Sequence, residues 1–264
     1  MEKKITLITG ATCGIGEACA RKFAQEGYRL IITGRKENRL EQLKTELEQY
    51  QTEVCTLCFD VRDREQTTKL IESLNEKWAD IDILINNAGL ALGLEKEYEG
   101  KWEDWETMID TNIKGLLTMT RLIVPRMVKR NQGHIINIGS VAGDAAYANG
   151  NVYCATKAAV KTLGDGLRID LADTAVRVTT IMLFRLTDMT LSQNSLVMSC
   201  SQTRLTRSPV LLMSTSRPPR NATASWTILT ASSSFVRSAW KAAARCPSDW
   251  ACLTNASAPS LLLK

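Results

Sequence analysis

From the N-terminus to about residue 181, short and almost wholly apolar runs alternate with longer stretches in which apolar residues return every three or four positions. The runs KITLITG, RLIITG, EVCTLCF, IDILINN, GHIINIG and VRVTTIM predict strands, because aliphatic residues at nearly every position suit a strand covered on both faces. The helical period predicts helices near 15–26, 37–49, 63–78, 102–130 and 151–173. This strand–helix rhythm implies an α/β fold: a doubly wound parallel sheet (Rossmann fold) with helices on both faces. A ligand is then expected at the carboxyl ends of the strands.

The pattern ends inside RVTTIMLFRLTDM, Arg177–Met189. Residues 1–181 carry 24 Lys and Arg against 26 Asp and Glu, whereas 182–264 carry 9 against 2, so the formal net charge of +5 hides two unlike parts. All 15 Gly precede position 167, while 15 of the 17 Ser and 5 of the 6 Pro follow Ile181. Turns and helix C-caps need residues that adopt positive φ, so a segment without glycine lacks the usual punctuation of a fold. Residues 1–181 are therefore expected to form the folded core, and 182–264, the aberrant C-terminal third, an atypical Ser/Arg/Pro-rich tail. A shifted reading frame, a disordered extension and a second small domain all stay open as accounts of it.

Other totals narrow the function. No apolar run approaches the roughly 18 residues needed to span a bilayer, and MEKKITLITG is too briefly apolar for a signal peptide. The eight Cys do not form a secreted disulfide framework; Cys55 and Cys58, three apart on a strand, point to opposite faces and so should not share a metal. A cytoplasmic protein without membrane partner is expected. Seven scattered Arg in the tail, without aromatic interleaving, do not make a nucleic-acid site.

Candidate chemistry gathers on the predicted rim. TGATCGIG follows the first strand and brings Gly10, Ala11, Thr12, Cys13, Gly14, Ile15 and Gly16 to a strand-to-helix turn. Glycine there lets the backbone approach a pyrophosphate, whose charge the helix N-terminus stabilises; a tight turn without ligand is the alternative. Arg35 and Lys36 end the second strand, where folds preferring NAD usually place an acid for the ribose 2′-hydroxyl, so the cations favour NADP over NAD. A solvated helix start is the alternative there. Asp60 and Val61 end strand three, and Asn87, Ala88 and Gly89 end strand four, on the same rim.

VYCATKAAV places Tyr153 and Lys157 four residues apart on one helix face. A neighbouring ammonium favours phenolate, which makes a tyrosine able to exchange protons at neutral pH. Ser140 closes the preceding strand, where its hydroxyl can hold a carbonyl or alcohol oxygen.

TGATCGIG, NNAG, Ser140 and YCATK, in this order and spacing, resemble the short-chain dehydrogenase/reductases over residues 4–181. The resemblance implies Tyr153 as general acid/base, Ser140 as orienter of the substrate, Lys157 on the nicotinamide ribose and lowering the Tyr153 pKa, and Asn112 anchoring a water that links Lys157 to a proton relay. It also implies a homotetramer. DVRDR, LINNAGLALG, DWETMIDTNIKGLL and GHIINIGSVAG look like the NADP-dependent serine or 3-hydroxy acid dehydrogenases, which implies hydride transfer at the alcohol carbon of a small hydroxy acid such as serine, allo-threonine or 3-hydroxypropionate. Relatives follow the sixth strand with Pro-Gly, a lid and a seventh strand. Leu183 and Phe184 stand where the Pro-Gly is expected, and an inactive dinucleotide-binding protein with an exposed sheet edge is the alternative.

Overall fold

The computed structural model describes residues 3–184 and the backbone of two further strand segments, 211–215 and 228–229. Six strands run parallel: β1 (Ile5–Ile8), β2 (Arg29–Gly34), β3 (Val54–Cys58), β4 (Ile83–Asn86), β5 (Gly133–Ser140) and β6 (Val176–Phe184). Their order, β3-β2-β1-β4-β5-β6, reverses direction between β1 and β4, and such a switch point opens a crevice at the strands' carboxyl ends. Two antiparallel strands, β7 (Leu211–Thr215) and β8 (Ile228–Leu229), continue the sheet beyond β6. The exposed edge at β6 that went with the alternative reading is corrected for the strand's carboxyl half, where β7 pairs with it from Thr180 to Phe184.

Period-two alternation divides the core into two layers. Leu7, Ile31, Leu84, Ile135 and Val178 face one side, packed with Met119, Ile123 and Met127 of α6 (Leu116–Arg130). Ile8, Leu30, Ile32 and Ile85 face the other, packed with Cys19, Ala20 and Ala24 of α1 (Gly14–Gln25) and with Leu40, Leu43 and Leu47 of α2 (Glu37–Glu48). Cys55 packs in the first layer and Cys58 in the second, as the alternation predicts. Among the described residues no group of His, Cys, Asp or Glu is placed to hold a metal ion, and no helix is long and apolar enough to cross a membrane.

Two predicted helices are corrected. The stretch 63–78 is two helices, α3 (Arg64–Glu72) and α4 (Glu76–Ala79), interrupted at Ser73–Asn75. Asp63 caps α3 by accepting from the Gln66 N–H at 2.9 Å. The stretch 102–130 is α5 (Trp102–Ile109), a π-helical turn at Asp110–Gly115, and α6. The last helix among the described residues, α7 (Asn151–Asp170), packs on β5 and β6.

Two glycines of α7 have opposite surroundings. A Cβ at Gly164 would stand 2.2 Å from Thr180 Oγ1, a stiff side chain buried in β6, whereas one at Gly166 would meet nothing within 4 Å. Gly164→Ala is expected to destabilise by about 1–3 kcal/mol, and Gly166→Ala to stabilise by roughly 0.5–1 kcal/mol. Urea unfolding of both variants checks this.

Candidate active site

The turn after β1 is shaped for close approach. Gly10 and Gly14 hold φ of +63° and +57°, which side chains disfavour. A Cβ on Gly16 would fall 2.4 Å from both Gly10 O and Asn87 Nδ2, and one on Gly34 would fall 2.7 Å from Thr12 Cγ2. Cys13 occupies the N-cap position of α1 in extended conformation, and its side chain does not cap the helix. The first N–H groups of α1 are thus without a side-chain cap, and the crowded glycines form a floor that any Cβ would fill. This is the arrangement an anionic pyrophosphate needs.

Thr9, which the pattern reading passed over as part of a strand, joins the two sides of the switch point. Its hydroxyl accepts from the N–H groups of Asn87 and Ala88, both at 3.0 Å, and donates to Ile85 O at 3.3 Å. Asn87 Nδ2 returns hydrogen bonds to Thr9 O at 2.9 Å and Gly10 O at 3.0 Å. The turns after β1 and β4 are therefore a single bonded unit, and a Thr directly before the glycine turn was the available signal.

At the end of β2, Arg35 and Lys36 are exposed, and Lys36 is the N-cap residue of α2. Asp60 lies beside them just past the end of β3, with Val61 buried behind it. Partial burial pushes the Asp60 carboxyl up, but hydrogen bonds from the Arg62 side chain and N–H outweigh this and hold it below the ordinary carboxylate range.

Lys157 is buried on α7. Its ammonium donates to Ile138 O at 2.9 Å, lies 5.9 Å from the centre of the Tyr153 ring, and would stand 3.4 Å from a Cβ on Gly89. Ser140 ends β5, where its hydroxyl accepts from Ala142 N–H at 3.2 Å and caps the turn Val141–Gly143. That turn presses against α7, since a Cβ on Gly143 would come within 2.7 Å of the Lys157 carbonyl. The carboxyl end of β5, the chain after β4 and the first turns of α7 thus meet around one amine.

Asn112 sits in the π-helical turn, and its side chain is wholly engaged. Oδ1 accepts from Leu90 N–H at 2.8 Å; Nδ2 donates to Leu90 O at 2.9 Å and to Thr156 Oγ1 at 3.0 Å. Thr156 in turn donates to Tyr153 O at 2.8 Å. The Asn112 side chain is therefore a clamp between the loop after β4 and α7, and Thr156 is a site residue that the helical period concealed. Beside Tyr153 opens a cleft walled by Leu92, Gly93 and Glu95, by Lys101, Trp105 and Met108, and by Tyr147, Asn151 and Val152.

The model of the short chain dehydrogenase family matches residues 4–195. The NADP-dependent 3-hydroxy acid dehydrogenase of Salmonella typhi is 56% identical over 177 residues, which are 67% of this chain and 70% of that protein. The serine 3-dehydrogenase of Agrobacterium fabrum is 46% identical over 175 residues, 66% of this chain and 69% of that one. Among solved structures, the closed form of a serine dehydrogenase complexed with NADP+ superposes with a TM-score of 0.64 at 54% identity, covering 67% of this chain and 70% of its own.

Burial lowers the Lys157 ammonium from the ordinary 10.5 to about 8. Between these values the unfolded chain keeps a proton that the folded chain has released, so stability rises with pH through this window. Below pH 8 both states hold the proton and the full cost of burying the cation weighs on the fold. Lys157→Met is therefore expected to be more stable at pH 7, by about 3 kcal/mol, with the advantage shrinking from pH 8 to 10.5. Urea midpoints of the two proteins across that range test it.

Proposed function

Because the chain belongs to the short-chain dehydrogenases, we propose that it transfers hydride between NADP and the alcohol carbon of a small hydroxy acid of the serine, allo-threonine or 3-hydroxypropionate type. The observation that carries this reading is the pairing on α7: Tyr153 beside the cleft, and Lys157 one turn on, with its ammonium buried next to the Tyr153 ring. The turn from Gly10 to Gly16, with Ala11, Thr12, Cys13, Gly14 and Ile15, would hold the pyrophosphate, and Arg35 and Lys36 the 2′-phosphate. Asp60, Val61, Asn87, Ala88 and Gly89 would line the rim between them, and Tyr153 and Lys157 would meet the nicotinamide ribose.

When bound, the nicotinamide accepts or returns the hydride. The side chains do the rest. Tyr153 takes the alcohol proton as the carbonyl forms, or gives it back in reduction; the Lys157 charge favours the phenolate that this requires. Ser140 holds the reacting oxygen by hydrogen bonding. Asn112 fixes the main chain from which a proton relay can lead to solvent. The exposed apolar side chains Trp102, Ile109 and Leu117 on the α5–α6 stretch support assembly with further copies of the chain, as a homotetramer.

A second reading is favoured by the break in composition at residue 181: a dinucleotide-binding protein whose substrate-selecting segment has been replaced, with little turnover of its own. Residues 185–264 carry that reading, and apart from the two strand segments they lie outside the described residues.

Steady-state assays with NADP and serine or 3-hydroxypropionate separate the two: turnover at ordinary enzymatic rates supports the first, and NADP binding without turnover the second. In the active case Tyr153→Phe is expected to lower kcat by about 10²–10⁴-fold, the worth of general acid–base catalysis, with the Kd for NADP within about threefold of the parent, less than a kcal/mol.

A further inference from the structure

Three charged side chains meet where β2 and β3 end side by side, with Gly34 paired to Cys58 in the sheet. Arg35 Nη1 makes a long ion pair with Asp60 Oδ2 at 3.9 Å, and its side chain is 59% exposed. Asp60 is instead gripped by Arg62: Nε stands 3.1 Å from Oδ1 and 3.0 Å from Oδ2, Nη2 2.7 Å from Oδ2, and the Arg62 N–H 3.0 Å from Oδ1. The grip is built into a tight turn, in which Asp63 N–H donates to Asp60 O at 2.9 Å and Asp63 caps α3. A fork donating to both oxygens of one carboxylate is the strongest geometry a guanidinium has.

Without Arg62, the nearest cation to the Asp60 carboxylate is Arg35. An Arg35 closed onto Asp60 would present little net charge to a phosphate, and an uncompensated Asp60 would repel it. Resting on the NADP reading above, we infer that Arg62 is a specificity-determining positioning residue: by holding Asp60 it leaves Arg35 available for the 2′-phosphate, and so sets the preference for NADP over NAD. Arg62 does this without touching the phosphate itself. Asp110, the other acid that acts on Arg62, is paired with Lys114 at 2.7 Å and does not compete for the fork.

The test measures Kd values for NADP and NAD by calorimetry on the full chain, for the parent, Arg62→Gln, Asp60→Asn, the double variant and Arg35→Gln. Arg62→Gln should lower the NADP-to-NAD preference about tenfold to a hundredfold, the worth of one charge-assisted contact. The Kd for NAD should stay unchanged, which also reports that the rim is folded. In the Asp60→Asn background the same substitution should have no effect on the preference, because the charge that Arg62 neutralises is gone. An equal loss in both backgrounds would mean that Arg62 contacts the phosphate directly, and an equal loss for both dinucleotides would mean that it only shapes the turn; either overturns the inference. A preference unchanged in Arg35→Gln would remove the premise that Arg35 meets the 2′-phosphate, and the inference with it.

Discussion

An amine carried into the interior on α7 is the constraint around which the rest of the site is arranged. Lys157 reaches Ile138 O across the helix–sheet boundary, and Gly143 lets the turn after β5 lie against α7 beside it. Burying a cation is unfavourable, and the hydrogen bond to a carbonyl offsets only part of that. A fold that retains such a group carries a local cost in stability, as sites prepared for a ligand commonly do.

Around this amine the sheet supplies order and the loops supply chemistry. The switch between β1 and β4 brings the glycine turn and the NNAG turn side by side, and Thr9 and Asn87 bond them into one surface. The Asn112 clamp fixes the following loop to α7 through Leu90 and Thr156. The π-helical turn that carries Asn112 is a local departure of the kind that often marks functional positions. The glycine turn, the NNAG turn and α7 are thus bonded to one another, and the Asp60, Arg62 and Arg35 charges meet at the neighbouring rim.

Much of this was legible in the chain itself. Strands buried on both faces show as continuous apolar runs, so all six parallel strands and the opposite facing of Cys55 and Cys58 follow from composition and a period of two. Tyr153 and Lys157 follow from the helical period, and Gly10, Gly14 and Gly16 from their place after β1. What escaped is what the period cannot carry. A π turn adds one residue per turn without changing the apolar count, so 102–130 reads as an unbroken helix. Thr9 and Thr156 look like ordinary strand and helix residues, since their roles come from partners 44 to 79 positions away. Arg62 reads as a surface charge until Asp60 and Arg35 are seen across the strand ends. The strand that pairs with β6, β7, comes from a segment whose sequence, poor in acid and glycine, announces no strand.

The direct measurement is a 13C NMR titration of lysine side chains with Lys157→Met to assign the resonance. A buried amine held between β5 and α7 should titrate near pH 8, well apart from the surface lysines. Titration of Lys157 together with them, near 10.5, would contradict the placement on which the proposed chemistry rests.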